Sequence, residues 1–150
     1  MTIHEHSSIS DHGYQASYFV PDLDATGLGV TSIDIVVTSP ASGSFWLGED
    51  VASAGVCKVV VTEGVTIDTP GTAMVFYGRS QQGDHPDVCD CLIERTGAYS
   101  GGEVILTTIE VAFGETGHHF LMEQDTTYLI TVTSREDDNY ASVVVRVWEA

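Results

Sequence analysis

The feature that most constrains this chain is its load of β-branched residues. Val, Ile and Thr number 19, 9 and 16, together 44 of 150, against seven Leu and ten Ala. Two heavy substituents on Cβ lose χ1 freedom against a helical turn and pack well on a pleated surface, so this excess favours strands. The local order agrees. Ser32–Thr38 begins in alternation and turns wholly apolar at Val36-Val37, as a strand entering a core would. Val56–Thr62 and Ala73–Tyr77 read as two more strands, set off by Glu63-Gly64 and Pro70-Gly71. Val88–Arg95, Glu103–Ala112, Thr127–Ser134 and Ala141–Glu149 follow, the last with Ser142, Val144, Arg146 and Trp148 on one face and Ala141, Val143, Val145 and Val147 on the other. Nowhere do apolar residues keep a helical spacing over three turns. About nine short strands without crossover helices predict an all-β protein, an antiparallel β-sandwich with the jelly roll as the expected arrangement and little or no helix.

One domain fits this length, with residues 14–150 forming the sandwich. Residues 1–13 differ in composition, with His4, His6 and His12, Glu5, Asp11 and four hydroxyl side chains, and read as an N-terminal arm. Acids outnumber bases 22 to five, for a formal charge of −17. So few cations cannot replace phosphate counterions, which argues against a nucleic-acid partner. The longest apolar runs, such as Val143-Val144-Val145, fall far short of the ~20 residues of a membrane span. Met1–Ser10 has no basic stretch followed by an apolar one, so synthesis in a cytoplasm without export by a signal peptide is expected. An apolar content of 43% argues against acidic disorder.

Chemistry-bearing motifs are sparse. Cys89 and Cys91, two apart in an expected strand, share a face at roughly 6.5–7 Å, poor geometry for a disulfide with each other. Three reduced thiols, or a bridge from Cys57 to Cys89 or Cys91, both remain open, and three cysteines cannot make a four-cysteine zinc site. His4-Glu5-His6, followed by His12 and Tyr14, suits a metal or a partner contact; partner contact by His4, Glu5, His6, His12 and Tyr14 is the favoured reading. A cupin spacing fails, because no Glu or Gln follows His6 until Gln15. Asp137-Asp138 and the acids between Asp84 and Asp90 do not follow the EF-hand calcium-loop spacing and read as solvated turns. There is no G-x-S-x-G elbow and no phosphate loop. Trp46 and Trp148 are the only tryptophans available to an aromatic platform. No catalytic residue, metal or cofactor is expected, and the chain reads as no enzyme.

Phe120–Ser134, a polar turn, and Tyr140–Glu149 together resemble the closing hairpin of small tailed-bacteriophage structural proteins of the head decoration, or capsid cement, type. Ile33–Pro40, and Glu63–Ile67 with Gly71-Thr72, are similar to the strand order of those proteins, and His4–Tyr18 to their opening segment. The resemblance touches about half the chain in pieces. The turn Arg135–Asn139 is more charged than theirs, and Cys89-Asp90-Cys91 has no counterpart in the pattern. The resemblance implies a virion structural protein that decorates and stabilises the outer surface of a capsid. Its implied partners are the major capsid protein and further copies of itself, as a homotrimer. A ligand-binding sandwich that recognises a carbohydrate or receptor is the competing expectation, with a cupin-like metal enzyme behind it.

Overall fold

A computed structural model of the chain describes residues 13–27, 29–78, 89–110 and 115–150. Among these the fold is all-β: thirteen strands and no helix. Four long strands open the chain: β1 Gly13–Leu23, β2 Ser32–Thr38, β3 Phe45–Ser53 and β4 Cys57–Glu63. Four close it: β10 Glu103–Glu110, β11 Glu115–Leu121, β12 Thr127–Ser134 and β13 Asn139–Glu149. Between them lie five short strands: β5 Thr66–Thr69, β6 Thr72–Ala73, β7 Tyr77–Gly78, β8 Leu92–Arg95 and β9 Ala98–Ser100.

The opening strands pair with the closing ones in reverse order, β1 with β13, β2 with β12, β3 with β11 and β4 with β10, all antiparallel. Rolling up that long hairpin produces one sheet in the order β11-β3-β13-β1-β7 and another in the order β10-β4-β12-β2-β8-β6, with β5 and β9 as a separate ribbon. This is the eight-stranded jelly roll. Thirteen strands stand against the expected nine: eight long ones, and five of two to four residues that all lie in the β4–β10 connection.

Alternation sets the core. On β13 Ala141, Val143, Val145 and Val147 are fully buried; Ile33, Ile35 and Val37 of β2, Val59 and Val61 of β4 and Tyr128, Ile130 and Val132 of β12 join them. Each Val or Ile among them contributes about 1.5–3 kcal/mol by leaving water. Tyr128 also accepts a hydrogen bond at its hydroxyl from the Glu123 N–H at 2.7 Å, which fixes the turn before β12.

Three details depart from the sequence reading. Ala73–Tyr77 is not one strand: Thr72–Ala73 pairs with β8 in the six-stranded sheet, and Tyr77–Gly78 pairs with β1 in the other. The residues between carry the chain from one sheet to its partner. Residue 13, assigned to the arm, already belongs to β1, where Gly13 lies opposite Trp148. Finally, β8 begins at Leu92, and the chain bends at Asp90 and Cys91. Cys89 and Cys91 therefore do not keep strand spacing. Cys57 is out of their reach, since β4 and β8 are separated by β12 and β2, three strand spacings or about 14 Å.

Three of the buried polar side chains, Ser53, Ser134 and Asn139, are held by a local network of side-chain and backbone bonds. Asn139 accepts the Gly55 N–H at 2.7 Å and donates to Ser134 Oγ at 3.0 Å and to Cys57 Sγ at 3.3 Å. Ser53 donates to the Gly55 carbonyl at 2.7 Å and Ser134 to that of Glu136 at 2.6 Å. Asn139→Ala would strand the Gly55 N–H away from water. It should cost about 1–3 kcal/mol, seen as a lower denaturant midpoint with an unchanged slope; a loss within measurement error would show that the network is dispensable.

Candidate functional site

The inner face of the five-stranded sheet must be apolar, so its outer face is where functional side chains collect. Register arranges them in rows across the strands. Trp46 of β3 and Trp148 of β13 lie directly opposite each other, with Leu121 of β11 beyond Trp46. In the next row His119, Gly48, Arg146, Gln15 and Tyr77 follow from β11 to β7. Gly117, Asp50, Val144 and Ser17 form the third row, and Ala52, Ser142 and Phe19 the fourth. Tyr140 continues the same face beyond Ser142, with its ring tilted at 6.3 Å to that of Phe19. From Tyr140 to Trp148 the face runs about 27 Å at ~3.4 Å per residue.

Two glycines shape its β3–β11 end. A Cβ on Gly48 would stand 3.1 Å from two indole carbons of Trp148, so the missing side chain is what lets that ring lie down on the sheet. A Cβ on Gly117 would collide with the Asp50 carboxylate. His119 stands edge-on to Trp46 at 5.8 Å and tilted to Trp148 at 6.3 Å, closing an aromatic cluster. Asp50 forms an ion pair with Arg146. Burial works against the Arg146 charge and lowers its pKa from the usual guanidinium range. A depression of about 340 Å³ lies among Gly48, Asp50, Gly117, His119, Arg146 and Trp148.

Behind it Glu49 projects into the core, 1% exposed, and its Oε1 meets His118 Nδ1 at 2.7 Å. The pairing follows from register, since Glu49 and His118 are opposite on β3 and β11. The imidazole is oriented from behind while about a third of its side chain reaches solvent.

A second polar cluster lies where the turn after β1 meets the β12–β13 turn. Asp137 accepts the Ala25 and Thr26 N–H groups at 3.0 and 3.2 Å, and Asp24 accepts the Asp138 N–H at 2.9 Å. The acids expected to be merely solvated thus lock two loops together. Carboxylate oxygens of Asp22, Asp24 and Asp138 lie within 4.8 Å of one another, donor chemistry that suits a hard cation. Asp24 first, then slight desolvation and Asp138, raise the Asp22 pKa above the ordinary carboxylate range.

Of the residues expected at a partner contact, His4, Glu5, His6 and His12 lie outside the described residues. Tyr14 is placed in β1 with only 9% of its surface exposed, inside the core cluster. Both tryptophans named from sequence are on the outer face and adjacent, which sequence alone did not indicate. Glu49, Asp50, His118, His119 and Arg146 were not singled out together, because their association depends wholly on which strands pair.

No protein-family model matches the chain, and no curated protein is similar to it. Among solved structures, a family 35 carbohydrate-binding module from Clostridium thermocellum is 16% identical, with 92% of this chain and 97% of that one covered and a TM-score of 0.38. Murine APRIL is 12% identical over 88% and 98%, with a TM-score of 0.34. The K1 cleaved adhesin domain of Lys-gingipain from Porphyromonas gingivalis W83 is 12% identical over 88% and 73%, with a TM-score of 0.35. Likenesses this small say nothing of ligand or partner, and the jelly roll rests on the strand order itself.

Mutual repulsion in the acidic cluster has a measurable sign. With the folded pKa of Asp22 raised, its charge opposes folding above that pKa, and protonation relieves the cost as pH falls through it. Asp22→Asn should therefore raise the thermal midpoint at neutral pH and low salt. The gain should shrink with added salt and disappear once acid has protonated Asp22 in the parent protein; a lower midpoint at neutral pH would contradict the repulsion.

Proposed function

We propose that this chain is a non-catalytic recognition module that holds an extended carbohydrate along the outer face of its five-stranded sheet. The observation that carries the reading is the gathering of Phe19, Trp46, Tyr77 and Tyr140 on that one face, where the buried Trp148 packs beside Trp46, with Gln15, Ser17, Ser142 and Arg146 between them. Aromatic rings offer flat apolar area with little conformational freedom to lose, matching the C–H faces of sugar rings. Amide, hydroxyl and guanidinium groups between the rings supply the directional bonds that orient hydroxyls. Phe19, Tyr77 and Tyr140 are each more than half exposed, so the platform is open to a chain that lies across it. Calorimetric titration with a panel of soluble polysaccharides tests the reading. Binding should be found, and Trp46→Ala or Tyr140→Ala should each weaken it about tenfold, or ~1.4 kcal/mol. An affinity untouched by both substitutions, or no binding across the panel, would overturn it.

A second reading, capsid decoration by a homotrimer, is favoured by the β10–β11 flank of the sandwich. The edge strands there, β10 and β11, expose Val104, Ile109 and Leu121, each more than half accessible. Open apolar edges invite pairing with another copy or with a shell. Avidity from many copies on a lattice would then supply strength without an active site. Under this reading, removal of residues 1–12, which stops short of β1, should abolish co-sedimentation with capsids while leaving thermal unfolding of the sandwich intact. Undiminished co-sedimentation would count against the arm as the contact.

A further inference from the structure

Cys89 and Cys91 stand on the segment that leads into β8. They form part of the wall of a cavity of about 520 Å³, whose other walls include Val36, Ile67, Met74 and Phe76. Cys91 is buried and Cys89 half-buried, and neither is in a disulfide. The bend at Asp90 and Cys91 breaks strand spacing, and both residues stand in the wall of one cavity. Closure to a disulfide therefore needs a shift of side chains rather than a rearrangement of the sheet.

The two sulfurs are not equivalent. The Cys91 thiol donates to Cys89 and lowers the Cys89 pKa below the ordinary thiol range, against burial and the nearby charges of Asp90 and Glu149. That same contact, together with burial and the charge on Cys89, pushes Cys91 far upward. An accessible thiol with more thiolate character beside a buried, protonated one is the arrangement of an attacking and a resolving cysteine.

We infer that Cys89 and Cys91 are a site of reversible thiol oxidation, closing an internal disulfide by exchange with a small-molecule disulfide. The Cys89 thiolate attacks one sulfur of that disulfide; its S–S bond breaks, and the departing thiolate takes a proton from water. Cys89 is then a neutral mixed disulfide, so the charge that kept Cys91 protonated is gone. Cys91 releases its proton to water and attacks the Cys89 sulfur, expelling the second small thiol. Two protein thiols lose two electrons to become one disulfide, and the small disulfide gains them as two thiols. The product carries no charge, which suits the apolar wall where it forms. Cys57 takes no part, being fully buried in the core about 14 Å away in strand spacings.

The test is to equilibrate the full, reduced chain in mixtures of reduced and oxidised glutathione, block free thiols in denaturant, and map peptides by mass spectrometry. Wild type should lose two blockable thiols and show a Cys89–Cys91 bridge two hydrogens lighter than the dithiol, with Cys57 still blocked. The bridge should reopen when reduced glutathione is restored. Cys91→Ser should stop at a glutathione adduct on Cys89, and Cys89→Ser should gain little adduct. A stable adduct on Cys89 of the wild type with Cys91 still free, or a bridge that forms only between chains, would overturn the inference. The wild-type measurement decides the matter even if either variant folds poorly. Polysaccharide titration reads a different face, so its failure and the failure of this inference are separable.

Discussion

Everything in this molecule depends on keeping one face of each sheet dry. Ala141, Val143, Val145 and Val147 have no exposed surface, and they line β13, the strand held between β1 and β3. Since side chains alternate along a strand, burying those four forces Tyr140, Ser142, Val144, Arg146 and Trp148 onto the opposite face. The candidate binding surface is thus a direct consequence of the core. A one-residue slip of β13 would send Arg146 and Trp148 into the sandwich and its valines to water.

Two polar intrusions into the dry layer are handled in different ways. Asn139, Ser134 and Ser53 close a network with backbone groups of Gly55 and Glu136, so their polarity ties the β3–β4 turn to the β12–β13 turn. Glu49 instead carries a carboxylate to the inner face beside the edge strand β11, where His118 reaches it. An edge position lets a buried acid take a partner that is itself half in water. It also couples the inner layer to the surface occupied by His119 and Trp148.

Legibility followed the strength of local alternation. Ser32–Thr38 and Thr127–Ser134 have the same bounds in sequence and structure, because the first opens in alternation and closes on a buried Val36-Val37, the second alternates throughout, and both end in turn-forming residues. Phe45–Ser53 was not read as a strand. Its centre is Gly48-Glu49-Asp50, and an inward-facing acid hides the period that Phe45, Leu47 and Val51 would otherwise show. Ala73–Tyr77 was misread for the opposite reason: a run of apolar residues looks like a strand even where the chain is crossing between two sheets. The spacing of Cys89 and Cys91 differs from the sequence reading because the strand expected from Val88 begins four residues later, at Leu92.

By itself the sequence determined that this chain is built of strands, that the strands are antiparallel and close on a valine-rich core, and which residues of the last hairpin face inward. Those properties are set by side-chain branching and by a period of two, both local. Tertiary structure alone decided that Trp46 lies beside Trp148, that His118 meets Glu49, that Asp24 and Asp137 lock two distant turns, and that Cys89 and Cys91 share the wall of one cavity. Each of these joins residues from separate strands or from a bend. Pairing register and chain reversal are properties of the whole rolled hairpin, and no local pattern encodes them.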